Sequence, residues 1–164
     1  MRNVNVRLAL AVIAGMAFLP ATTIVQAQSD SARLDIRTAR DVAVSPSGTL
    51  WIVGAGSTPN GSVQRLVGSA LVTQPGSAVR VAVEPSGNAW IVNSSGDLYH
   101  WEKTPARSQA WVLASLKAMD VAVGASGAVW AVGTDHRILG FQNGTWTALS
   151  GGGDRIAVDP LGYP

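Results

Sequence analysis

The chain contains no cysteine, which excludes a disulfide framework, a thiolate metal site and a cysteine nucleophile. Its only two histidines, His100 and His136, are too few for a His-rich metal site. Charged residues make up only 13% of the 164 positions, against 47% hydrophobic, a balance that excludes a disordered chain. Lys and Arg form no cluster that could track phosphates, so no nucleic-acid partner is expected. No apolar run reaches the roughly 20 residues of a spanning helix, so no membrane span is expected. There is no calcium loop, phosphate loop or redox motif, and no cofactor or metal is expected. Phe and Tyr are scarce, two of each, whereas tryptophan occurs six times.

The N-terminus reads as an export signal. Arg2 and Arg7 flank an uncharged apolar run from Leu8 to Leu19, Pro20 interrupts it, and Val25-Gln26-Ala27 follows with modest side chains. This order predicts a signal peptide over 1–27, cleaved between Ala27 and Gln28, and a secreted or periplasmic destination. The whole chain carries 12 basic and 10 acidic residues; removing Arg2 and Arg7 leaves 10 of each, a net charge of zero. Basic charge is therefore no guide to the partner.

The remainder, 28–164, repeats. Asp41-VAVSPSGTLWIVG, Arg80-VAVEPSGNAWIVN, Asp120-VAVGASGAVWAVG and Arg155-IAVDPLGYP align, giving units of about 40–78, 79–118, 119–153 and a partial 154–164. Val42, Val81, Val121 and Ile156 are spaced 39, 40 and 35 residues apart. Trp51, Trp90 and Trp130 each follow the unit's first Val by nine residues. The length differences fall in two loops, around 54–61 and around 102–110, where insertions cost little. Gly48, Gly87, Gly127 and Gly162 hold one repeat position, the place of a tight turn that needs positive φ.

Local chemistry predicts strands. Each unit offers a Val-Ala-Val strand, a Trp strand, a third strand (62–66, 97–101, 137–141) and a fourth (69–73, 109–113, 144–148), with turn residues between. SARLD at 31–35 fits the fourth-strand position ahead of Val42. The expected fold class is all-β, a β-propeller of four-stranded antiparallel blades, about three blades with partial flanking strands. A β-sandwich or a β-helix explains neither the repeat nor its four strands.

The pattern VAV-x-x-x-G-x-x-W-x-V, with GDLYHW at 96–101 and NGTW at 143–146, resembles the tectonin-type β-propeller repeat. The resemblance covers about 31–164. It implies lectin-like recognition of glycans such as lipopolysaccharide or modified sugars. A protein-interaction scaffold is the first alternative, and a secreted propeller lyase, whose repeat has a similar rhythm, is the second. Propellers usually have about four to eight blades, so the expectation is that this is part of a larger ring, with the fourth unit's Trp falling one residue past Pro164, or that partial rings self-associate.

Candidate ligand residues are polar groups near the loop between second and third strands, with neighbouring aromatics. They are Asn93, Ser95, Tyr99 and Trp101 in the second unit, and Asp135 and His136 in the third. These could orient sugar hydroxyls beside an aromatic face; ordinary turn chemistry explains them as well. Trp51, Trp90 and Trp130 read as inter-blade core, because each recurs at a strand centre. Asp41, Arg80, Asp120 and Arg155 share one position and read as alternating ion pairs between inner strands. Glu84 and Glu102 stand apart in the sequence. No Ser-His-Asp set can be named, and no catalytic residue or enzyme activity is assigned. The expected partner is a glycan or a protein.

Overall fold

The computed structural model describes residues 38–56, 58–104 and 107–164. The expected leader over 1–27, its cleavage between Ala27 and Gln28, and the segment at 31–35 lie outside the described residues. The fold is all-β, with eleven strands in antiparallel sheets and no helix among the described residues. The strands are β1 (Ala39–Val44), β2 (Leu50–Gly54), β3 (Gly61–Val67), β4 (Ala70–Ala78), β5 (Arg80–Val83), β6 (Ala89–Val92), β7 (Asp97–Thr104), β8 (Arg107–Val123), β9 (Val129–Gly133), β10 (Arg137–Gln142) and β11 (Thr145–Gly152).

They form three four-stranded meanders of propeller type. The first is β1-β2-β3-β4. The second is β5-β6-β7 with β8 as far as Lys117, and the third takes β8 from Ala118 onward with β9, β10 and β11. One strand of 17 residues thus closes one blade and opens the next, where two separate strands were expected. The physical reason is local: Ala114-Ser-Leu-Lys-Ala-Met-Asp120 contains no Gly or Pro to end a strand. In the fourth unit, Ile156–Val158 is not a strand, because no neighbouring strand pairs with it, but its turn forms, with Gly162 N–H donating to the Asp159 carbonyl.

Alternation along the strands gives each blade two apolar faces. Trp51, Val53 and Val63 of the first blade pack on Val81, Val83, Ile91 and Trp101 of the second. Trp90, Val92 and Leu98 of the second pack on Val121, Val129 and Ala131 of the third. Both faces of the middle blade are therefore covered, which explains why β5 and β6 are nearly continuous apolar runs. Three tryptophans meet edge to face in the first seam, Trp51, Trp101 and Trp111, with centroids 4.8–5.9 Å apart. Trp90, Phe141 and Trp146 repeat the arrangement in the second.

The blades turn about a common axis. Val44, Val83, Val123 and Val158 hold the same repeat position and line one hollow of about 310 Å³. The outer strands bulge at matching places, with left-handed residues at Gly76 (φ +90°), Ser115 (+52°) and Gly151 (+107°). The carbonyl just before the bulge residue turns out of the ladder, and the next blade caps it. Trp111 Nε1 donates to the Pro75 carbonyl (2.6 Å) and Trp146 Nε1 to the Ala114 carbonyl (3.0 Å).

Candidate functional site

The seams are not equivalent. Between the first and second blades, Asp41 accepts the Val81 N–H (2.8 Å) and Trp51 Nε1 donates to the Gly87 carbonyl (3.0 Å). The same two bonds recur from the third blade to the following segment: Asp120 accepts the Ile156 N–H (3.0 Å), and Trp130 Nε1 donates to the Gly162 carbonyl (2.8 Å). Between the second and third blades both are replaced. Arg80 occupies the Asp position and cannot accept; its Nε lies 3.6 Å from Asp120 Oδ1, which Arg155 also approaches at 3.7 Å. Trp90 Nε1 turns back within its own blade and donates to Glu84 Oε1 (2.8 Å).

The turns follow. A Cβ on Gly87 would stand 2.8 Å from Thr49 Oγ1 of the preceding blade, and one on Gly162 would stand 2.7 Å from Ser126 Oγ. Around the same point on Gly127 no atom lies within 4 Å. The second seam is open at this end, and a cleft of about 710 Å³ occupies it. That volume lies within the roughly 300–1,000 Å³ typical of ligand sites.

The cleft has an acidic and aromatic lining. His100 pairs across the ladder with Trp90 and stacks on its ring, centroids 4.3 Å apart and planes 15° apart. The equivalent cross-strand partner is Arg65 opposite Trp51, where the guanidinium lies 5.5 Å over the ring, and Gly140 opposite Trp130. Imidazole is therefore specific to the middle blade. His100 Nε2 lies 3.0 Å from Glu84 Oε1 and Nδ1 lies 3.4 Å from Glu102 Oε2. The Nε2 contact is close but poorly aligned, so this buried atom makes no hydrogen bond of good geometry. Burial alone would raise the Glu84 pKa, but the close polar contact with His100 and the hydrogen bonds from Trp90 and Ser86 outweigh it and hold the carboxyl below its ordinary value. Glu84, from the turn after β5, converges here with His100 and Glu102 of β7; the expectation that the two glutamates are isolated is corrected by the fold. Ser115, the non-glycine bulge residue, also lines the cleft.

The ligand residues expected from the sequence divide into separate places. Asn93 and Ser95 form the turn at the opposite end of the second blade, where Asn93 Oδ1 accepts the N–H groups of Ser95 and Asp97 (2.9 Å each). The Asn93 amide donates to Asp97 Oδ2, and Lys117 reaches both Asp97 and the Ser95 carbonyl. Asn93 and Ser95 line a shallow hollow of about 400 Å³ with Thr134. Asp135 pairs with Arg137 (2.6 Å), and His136 Nδ1 lies 2.8 Å from Asp154 Oδ1. Tyr99 and Trp101 point to the first seam; Trp101 is 5% exposed in that core, and Tyr99 packs against it. Gly48, Gly87 and Gly127 have φ of +83°, +86° and +86° in the turns between first and second strands. Trp51 and Trp90 lie in the two inter-blade cores, and Trp130 is part-buried.

Three four-stranded blades about an axis, with an acidic cleft in one seam, define a chain of β-propeller type. No family model matches it, and no curated protein matches it. Among solved structures it is similar to YCF48 bound to a D1 peptide, at 22% identity and a TM-score of 0.49, covering 68% of this chain and 40% of that one. A protein from Lactobacillus plantarum is similar at 13% identity and a TM-score of 0.41, again covering 68% of this chain and 40% of that one. The chain thus spans 40% of the length of each of these structures.

Proposed function

We propose that the chain is an exported binding module that takes its ligand in the cleft between its second and third blades. One observation carries this reading: the seam bond that Trp51 and Trp130 make to the next turn is, at Trp90, redirected to Glu84, leaving the turn at Gly127 uncovered. A core that needed only to pack would gain from closing this seam as the others are closed. The cleft instead exposes a set of polar groups against aromatic walls, the usual composition of a ligand site.

The resemblance to tectonin repeats supports a glycan as ligand, and the scaffold alternative supports a protein. Trp90 is 2% exposed and its ring is stacked on His100, so its face is not free to stack on a sugar. Polar recognition therefore falls to Glu84, Glu102 and His100. The test is binding of the full chain and its Val112→Trp variant to glycan and peptide arrays. Val112 lines the cleft and pairs with His100 across the ladder, so it shares that residue's face and an indole there obstructs the cleft. Array binding that survives the obstructed cleft would place the ligand elsewhere. For the lyase alternative, turnover by the parent chain and its absence in His100→Asn is the deciding comparison.

A further inference from the structure

We propose that this cleft receives a lysine or arginine side chain of a partner polypeptide. The inference rests on the reading of the cleft as the binding site and names what enters it. The first ground is charge. Glu84 and Glu102 contribute two carboxylates, and neither Lys nor Arg is among the described residues lining the cleft. Glu84 is already supplied with donors, from Trp90 and Ser86, whereas among the described residues Glu102 has the 3.4 Å contact with His100 and a side chain 43% exposed. An anion would meet two like charges here, which is an effective device of exclusion.

The second ground is the walls. Val112, Val129, Phe141 and Trp146 surround the carboxylates. A ligand matched to both has a charged head on an apolar stem, as lysine and arginine do. A sugar would meet the carboxylates with its hydroxyls and the walls with its C–H face, but a neutral sugar leaves the two negative charges uncompensated.

The third ground separates a polypeptide from a free amine. The cleft includes Val112–Ser115 of β8, where Val112 and Leu113 pair with β7 on one side and no described strand pairs with them on the other. An unpaired strand edge offers backbone donors and acceptors that a peptide backbone can meet. A free polyamine has no use for them.

The test is isothermal titration of the full chain with a short peptide bearing one central lysine, its norleucine counterpart, and spermidine. The lysine peptide is expected to bind at least about tenfold more tightly than the norleucine peptide. Its affinity should fall as salt rises from about 0.05 M to about 0.5 M. Glu102→Gln should weaken it about tenfold. The Glu102 side chain is half-exposed, and Glu84→Gln, which keeps an oxygen for Trp90, serves as a second variant; circular dichroism verifies that both are folded. Equal binding of lysine and norleucine peptides, lost in Val112→Trp, would overturn the cationic ligand while leaving the cleft in use. Spermidine binding as tightly as the peptide would overturn the polypeptide. Lysine-peptide binding unchanged in Val112→Trp would overturn the cleft itself, and no binding of any probe would overturn the proposal.

Discussion

Gly87 and Gly127 share a repeat position and a backbone conformation, yet substitution should affect them unequally. Alanine at either residue meets the unfavourable left-handed backbone, which costs about 1 kcal/mol. At Gly87 the new methyl also meets Thr49 Oγ1 at 2.8 Å, and relieving that contact should cost about 1 kcal/mol more. Urea denaturation of the two variants checks this; equal losses would mean that the two seams are equally closed. Ser115 runs the other way. Its φ of +52° disfavours a side chain, so Ser115→Gly should leave stability unchanged or raise it by up to about 1 kcal/mol. Glu84 adds a pH dependence. Its folded pKa is lowered, so its contribution to stability is complete above its unfolded pKa and is lost as pH falls through the lower folded value. Glu84→Gln should therefore flatten the acid side of the stability–pH curve, read from denaturant midpoints between about pH 5 and pH 2.

At the scale of strands, the bulges and their tryptophan caps tie neighbouring outer edges together. Trp111→Phe keeps most of the aromatic contact but removes an exposed hydrogen bond to the Pro75 carbonyl, and should cost about 0.5–1 kcal/mol in thermal or urea denaturation. A neutral result would mean that water replaces the cap. Strand identity was legible in the residues: Val-Ala-Val and Trp-Ile-Val runs between Gly-bearing turns can satisfy their backbones and bury both faces only as inner strands. The joining of β8 across two blades was not, because a bulge at a serine carries no sequence mark comparable to Gly76 or Gly151. Nor was the cleft legible. Glu84 comes from a turn, and His100 and Glu102 from β7, and only the register Trp90↔His100 brings the three together. The residues expected as ligands divide between the rim and the first seam for a related reason. Alternation along β7 sends Tyr99 and Trp101 to one seam and His100 to the other, so adjacency in sequence separates them in space.

At the scale of the molecule, the repeat was the clearest signal in the sequence, because four copies of one pattern at spacings of 39, 40 and 35 residues leave little freedom in the fold. Export is a separate expectation: secreted material should begin at Gln28, and intact mass decides it, with a retained Met1 counting against the leader. The seams differ in how they are written. In the first, Asp41 and Trp51 reach backbone groups, which every amino acid supplies, so the receiving blade can drift in sequence without losing its neighbour. In the second, Arg80 faces Asp120, side chain to side chain, and each residue depends on the identity of the other. Blades joined by backbone can be duplicated or exchanged as interchangeable parts. The second and third blades add this side-chain match to the bond from Trp146 to the Ala114 carbonyl, so a recombination event that separated them would lose both the match and the cleft that lies between them.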